Sequence, residues 1–455
     1  MGSGNQNSVG TAINQILGAF STLTLAMKAR TAYTWTFSSL RKRSRTQKRP
    51  PRSCLDLRRR IRPGQQGHLP AHPPLYDGTG LIRQSGNNMI FITFNYRLGA
   101  FGFLAGSSME KGGLPNAGLW DQRAVFEWVR SYAHLLGGDP NKVTAMGESA
   151  GASSIMHHLV AEGGTKDPLF NRAILLSPAF QPMWDRAGGL EDTFKLFERL
   201  AGCQGKGLDC LRKADATRLM TANKELMLSQ VPGTFAVGPA PDGSFIRQLP
   251  VLELASGHFW KVESLLTSHC ANEAILFVDG SIATNADFDR FLSAVFANYT
   301  YKAQADRTSD FIRDSSMTCN IRYLNEAYGD AKVWNMQYSV APGWHASDLA
   351  AVFYDRTFSS PAWDNVLRDL VVVPLGFLFS GVSTALQSYL ASYAVKGDPN
   401  ADRVVLNVPP RVVDVGNFLL REIDDDQVPR PACDFWREFY AAATAEGGYV
   451  PPGAK

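Results

Sequence analysis

The run Val143-Thr144-Ala145-Met146-Gly147-Glu148-Ser149-Ala150-Gly151-Ala152-Ser153-Ser154 constrains this chain more than any other stretch. It reads as a short apolar strand, an abrupt Gly-X-Ser-X-Gly turn, and a helix that opens in small residues. Such a turn is a nucleophile elbow, in which a strained strand-to-helix junction holds a serine oxygen clear of the backbone at the top of a sheet. Gly147 and Gly151 flank Ser149 because side chains there would strike the neighbouring strand or helix. The pentapeptide alone arises by chance; the strand before it and the helix after it give it weight.

The surrounding text has the rhythm of a parallel sheet wrapped by helices. Met89-Ile90-Phe91-Ile92-Thr93-Phe94 is a nearly continuous apolar run, suited to a strand covered on both faces. A helix is predicted from about Ala117 to Leu136, where Val125, Trp128, Val129, Tyr132 and Leu136 recur at three- and four-residue steps and Gly137-Gly138-Asp139-Pro140 closes the pattern. Further strands are predicted at 143–146, 172–176, 263–267 and 333–340, and a helical stretch over 190–228. Residues 371–395 are uncharged and mostly apolar, but Pro374, Gly376 and Gly381 favour a packed loop and helix over a membrane span.

At 455 residues, with 45% apolar and 19% charged residues, the chain suits one large α/β fold with a sizeable core. The formal charge of +4 is unevenly spread. Residues 1–62 hold 13 Lys and Arg against the single acid Asp56, so the remainder carries −8. A basic leader could meet nucleic acid or an anionic surface, but this one lacks aromatic interleaving and a folded motif, and no nucleic-acid partner is expected. Residues 12–27 are only mildly apolar and are followed, not preceded, by basic residues, which is the wrong polarity for a secretory signal and too polar to span a bilayer. The leader's Arg- and Ser/Thr-rich, acid-poor text also resembles a transit peptide. From Arg41 to Pro74 no helical or strand period survives, and disorder is expected. The division is therefore a basic leader, 1–74, and a folded domain, 75–455.

A serine at an elbow needs a base to take its proton and an acid to orient that base. In folds built around such an elbow the chain order is Ser, then Asp or Glu, then His. His68 and His72 fall in the leader, His134 precedes the serine, and His157 and His158 lie on the helix leading away from it. Of His258, His269 and His345, the last follows the alternating strand in Gly343-Trp344-His345-Ala346-Ser347-Asp348, where a sheet's C-terminal edge would present it; a solvated loop histidine is the alternative. Glu273 follows the strand that ends near Ser268, with a surface carboxylate as its alternative. Among Cys54, Cys203, Cys210, Cys270, Cys319 and Cys433 there is no CxxC pair or Cys/His cluster at metal spacing, so no zinc site is expected. Cys203 and Cys210 bracket a short loop that a disulfide could close, which would point to an oxidising compartment.

These residues resemble the type-B carboxylesterase/lipase family of the α/β-hydrolase fold. The shared text is Asn95-Tyr96-Arg97-Leu98-Gly99 with Gly102-Phe103-Leu104, Asn116-Ala117-Gly118-Leu119, Asp121-Gln122, Gly137-Gly138-Asp139-Pro140 and the elbow. Pro241-Asp242-Gly243, Asn272-Glu273, His345 and Gly397-Asp398-Pro399-Asn400 follow in family order. The resemblance implies a mostly parallel sheet with helices on both faces, the N-terminal strands missing or disordered, and esterase activity without metal or organic cofactor. It implies Ser149 as nucleophile, Glu273 as acid, His345 as base, the Ala150 N–H as one oxyanion donor, and a Cys203–Cys210 disulfide. Asn272, Ala274, Ala346 and Asp348 depart from the family's residues beside the acid and base. Cys54 resembles one half of a further disulfide whose partner has no counterpart here.

The family's glycine loop, which supplies the other oxyanion donors, is not found before Asn95; the text there reads Arg62-Pro63-Gly64-Gln65-Gln66-Gly67-His68. Two readings follow. Either the text before Leu75 is mistranslated or mis-spliced, or the chain is a degenerate relative retained for binding, with weakened or no activity. Intact Ser149, Glu273 and His345 favour an enzyme acting on small-molecule or lipid esters, reached through the secretory pathway by family resemblance. Asn298-Tyr299-Thr300 is a glycosylation sequon on that route.

Overall fold

Eight strands form one sheet in the computed structural model. The structure describes residues 34–40, 78–230, 234–278, 282, 284, 286–290, 307–329, 333–355, 376–401, 411–416, 420–425 and 430–446. The strands are β1 (Thr34–Leu40), β2 (Met89–Phe94), β3 (Gly138–Glu148), β4 (Arg172–Leu176), β5 (Ser264–Cys270), β6 (Val333–Tyr338), β7 (Arg411–Val415) and β8 (Leu420–Asp424). Their spatial order is β2-β1-β3-β4-β5-β6-β7-β8. From β3 to β7 all neighbours are parallel. β1 runs antiparallel to both β2 and β3, and β8 antiparallel to β7.

The helices that concern the site are α1 (Ala117–Tyr132), α2 (Ala150–Val160), α3 (Arg307–Arg313), α4 (Cys319–Tyr328), α5 (Gly376–Lys396) and α6 (Arg430–Glu446). They cover both faces of the sheet, and the two-residue period of the strands divides the core between them. Ala173, Leu175 and Leu265 pack with Ile155 and Leu159 of α2 and Trp436 of α6. Ile174, Leu176 and Leu266 point the other way, onto Leu386, Tyr389 and Leu390 of α5. This explains why β4 reads as unbroken apolar text from Ala173 to Leu176: each of these residues packs against a helix above or below the sheet.

The uncharged stretch near 371–395 is largely α5, whose Tyr393 hydroxyl lies 3.0 Å from Ser264 Oγ and donates to the Ala173 carbonyl at 3.2 Å. No helix among the described residues is long and apolar enough to cross a membrane. α1 is a helix over the expected residues, but its buried face differs from the one read from the sequence. Of the residues read as its apolar stripe, Val129 is buried and Val125 packs against the core, but Trp128, Tyr132 and Leu136 are exposed, and Leu119, Gln122, Phe126 and Ala133 are buried instead. Two apolar stripes compete on this helix, and the one continuous with Phe170 and the α2 side chains wins.

Residues 34–40 also differ from expectation. They lie in the leader, yet form β1, pairing Thr36 with Ile92 on one side and with Ala145 on the other. Seven residues beside a long basic run carry little periodic signal; pairing with two strands at once supplies what local propensity does not. The other leader expectations, including His68, His72, Cys54 and the search for a glycine loop, fall outside the described residues, as does the Asn298 sequon.

The expected Cys203–Cys210 disulfide is present, and a second, Cys319–Cys433, ties α4 to α6 across 114 residues. The second has no local sequence signature, because its halves meet only once the sheet between them has folded. Cys270 is a buried free thiol.

Loop-closure entropy makes the long-range bridge the more stabilising. Replacing Cys319 and Cys433 by alanine is expected to cost roughly 5 kcal/mol, against roughly 2 kcal/mol for the Cys203/Cys210 pair. Thermal unfolding of the two double variants checks the ranking, and equal losses would refute it.

Candidate active site

Ser149 sits at φ 53°, ψ −120° between β3 and α2, a backbone conformation that a non-glycine residue adopts only under constraint. The constraint is visible in the hydrogen bonds. Ser149 N–H donates to the Leu176 carbonyl at the end of β4, and the Ser149 carbonyl accepts from Ser153 N–H and Ala179 N–H. A Cβ at Gly147 would stand 2.3 Å from the Gly151 carbonyl carbon, so the strand and helix meet only because residue 147 has no side chain.

The other two side chains arrive from neighbouring strand ends. β5 stops at Cys270 and Glu273 follows; β6 stops at Tyr338 and the chain turns through Gly343 to His345. Asn272 fastens the two loops together. Its N–H donates to the Gly343 carbonyl at 2.8 Å, and its side-chain amide donates to the Pro342 carbonyl at 2.8 Å. Asn272 is one of the departures noted in the sequence, and its side chain has this structural use.

Ser149 Oγ lies 2.8 Å from His345 Nε2, and His345 Nδ1 donates to Glu273. The Nδ1 contact selects the tautomer that leaves Nε2 free to accept the serine proton. Glu273 is 1% exposed and His345 8% exposed, so their contact is shielded from water. Burial by itself would raise the Glu273 pKa; the His345 charge and hydrogen bond, the Ser177 hydroxyl and the Cys270 N–H hold it below the usual range.

Two acids that the sequence reading assigned no role complete the surroundings of the imidazole. Glu148 Oε1 is 3.3 Å from His345 Nε2, the nitrogen that also faces Ser149. Asp348 is 2% exposed, and its Oδ1, like Glu148 Oε1, is buried without a hydrogen-bond partner. Burial drives both upward, Glu148 to about 8 and Asp348 to about 7. Burial opposes the charged form of His345, but Glu273 and Glu148 outweigh it and push the imidazole up to about 9. Glu148 stands inside the elbow pentapeptide, so the motif contained the residue without indicating its second contact.

Among the described residues, the other histidines are engaged elsewhere or exposed. His157 and His158 are buried on α2, and burial pulls them down to about 4 and about 3. His258 faces Glu253 at 3.1 Å and His269 faces Asp425 at 3.4 Å. Among the described residues no cluster of His, Cys, Asp and Glu could hold a metal ion.

Ala150 opens α2, where first-turn N–H groups have no partner within the helix and the helix dipole favours a negative ligand. Ser149 and Ala150 line a cavity of about 250 Å³. A hydroxyl, a base oriented by a buried acid, and a backbone donor beside a cavity together suit nucleophilic attack on a carbonyl.

A profile of the carboxylesterase family matches residues 66–355. A secreted lipase of Arthroderma benhamiae is 39% identical over 410 residues, spanning 83% of this chain and 76% of that lipase. Carboxylesterase patB of Aspergillus clavatus is 32% identical over 395 residues, or 79% of this chain and 67% of that enzyme. The crystal structure of Aspergillus niger EstA superposes with a TM-score of 0.70 at 25% identity, covering 82% of this chain and 78% of that one.

The acids around His345 set a pH dependence. Only the neutral imidazole accepts a proton, and His345 is raised, so kcat/KM for ester cleavage is expected to rise with pH along a limb above the ordinary histidine value of 6.5. Glu148→Gln removes a charge that favours the imidazolium, and the limb should move to lower pH. Initial-rate profiles of both proteins test this; an unmoved limb, or one moved upward, would count against it.

Proposed function

The chain belongs to the carboxylesterase family and is a serine carboxylic ester hydrolase, and we propose that Ser149, His345 and Glu273 carry its chemistry through an acyl-enzyme. The observation that supports this reading most directly is the hydrogen-bonded line from Ser149 Oγ through His345 to buried Glu273.

In this mechanism His345 Nε2 takes the Ser149 proton as Oγ bonds to the ester carbonyl carbon. The carbonyl oxygen becomes an oxyanion, and the Ala150 N–H at the head of α2 donates to it. Glu273 stabilises the imidazolium and stays ionised. The tetrahedral intermediate collapses, the C–O bond to the alcohol breaks, and the alcohol leaves with the proton from Nε2. Water then attacks the acyl-serine, giving its proton to His345. The second collapse releases the carboxylic acid and returns the proton to Ser149. We assign the protein to the secretory pathway, a reading supported by the secreted lipase relative and by two disulfides.

A fluorophosphonate probe should label Ser149 and no other residue, and Ser149→Ala should abolish the labelling. His345→Ala should lower kcat/KM by about 10⁴-fold or more, and Glu273→Gln by about 10³–10⁴-fold. Protein that is folded by circular dichroism yet takes no label would overturn the reading and favour a binding role.

A further inference from the structure

The cavity beside Ser149 is more specific than an opening for any ester. None of its lining side chains carries a charge. Its wall is largely Phe180, Met183, Trp184, Phe311, Ile312 and Met317. The polar groups in the lining are mostly occupied by one another. Ser153 Oγ donates to the Ala150 carbonyl at 3.0 Å, Gln181 Oε1 accepts from Phe235 N–H at 2.7 Å, and the Ser316 carbonyl accepts from Phe180 N–H and the Asn320 amide. A hydroxylated or charged group entering here would lose its water and find little in exchange.

The cavity reaches from the elbow to the core under α6. Tyr440 of α6 is both a lining residue and 3% exposed, and its hydroxyl donates to the Ser315 carbonyl at 2.7 Å. Ser315, Ser316 and Met317 belong to a π-helical turn, Asp314–Thr318, between α3 and α4. Such a turn widens the helix locally and recurs at functional sites. The Cys319–Cys433 bridge joins α4, just beyond that turn, to α6, so the Tyr440 side of the cavity is covalently braced.

Resting on the ester hydrolase reading, we propose that this cavity takes the acyl part of the substrate, as an unfunctionalised medium-length alkyl chain. The acyl group is the part held through both chemical steps, so a wall that begins at Ser149 and Ala150 serves it twice. An apolar cavity of 150 Å³ holds benzene, so by that scale the 250 Å³ here holds about eight to ten carbons.

The test uses 4-nitrophenyl esters with acyl chains from acetyl to hexadecanoyl, beside a second series of octanoates with lengthening alcohols. kcat/KM should rise about fourfold per added acyl methylene, level off near eight to ten carbons, and respond weakly to the alcohol. Met317→Ala should move the plateau to longer chains and Ile312→Phe to shorter ones, with folding of each checked by its melting curve. A maximum at acetate, a rise continuing to hexadecanoate, or dependence on the alcohol instead would overturn the proposal while leaving ester hydrolysis intact.

If no ester of any length is cleaved, the ester hydrolase reading itself fails, and the cavity is tested separately. The neutral ketone 2-decanone should raise the melting temperature of the Ser149→Ala protein where 2-butanone at equal concentration does not. No difference between the two ketones would overturn the proposal on its own.

Discussion

A carboxylate and an imidazole, both shut away from water, meet at one edge of the sheet, and much of the fold is arranged to keep them together. Glu273 and His345 are 72 residues apart. They touch because β5 and β6 are adjacent, parallel, and end at the same edge. Ser149 reaches them from β3, two strands away, because β4 between them is also parallel and the elbow rises above it. Asn272 then fixes the acid loop to the base loop through two hydrogen bonds to its neighbour's backbone. An ion pair of this kind gains its strength from a dry setting and would be weak on a surface.

Much of this arrangement was legible in the text, for a physical reason. Strands buried on both faces cannot alternate with polar residues, so β4 was readable almost to the residue as an apolar run; β2 was equally legible but lies at the sheet's edge, with only Met89 buried, and is not covered on both faces as its text suggested. The order of Ser149, Glu273 and His345 along the chain, with the family resemblance, singled out those three side chains. What escaped depends on relations across the fold. The second neighbour of His345 Nε2, Glu148, was hidden because its role is a distance and not a pattern. The buried face of α1 was read only in part, Val125 and Val129 but not Trp128 or Tyr132, because two apolar stripes looked alike until one of them met Phe170. β1 escaped because its stability lies in two flanking strands and not in its own seven residues.

The imidazole is overprovided with acids. Glu273, Glu148 and Asp348 all act on it, yet it can offer only one positive charge. Burial raises both Glu148 and Asp348, so as pH falls these two take up protons before Glu273 does, and above that range the Glu148 charge still favours the imidazolium. Glu273, with His345, Ser177 and the Cys270 N–H as partners, is the one that stays ionised. Burial, the charge of His345 and unequal hydrogen bonding together leave Glu273 the strongest acid of three carboxyls with similar intrinsic acidity.

The Cys319–Cys433 bridge links two properties that otherwise have nothing to do with each other. Elbow, acid and base loops are organised by strands that the bridge does not touch, whereas the aromatic back wall around Tyr440 hangs on it. Protein made in a reducing cytoplasm would keep Ser149 in place while the Tyr440 side of the cavity loosened. A recombinant batch of that sort would pass a quality check done with a small chromogenic acetate and still misrepresent which esters the native molecule prefers.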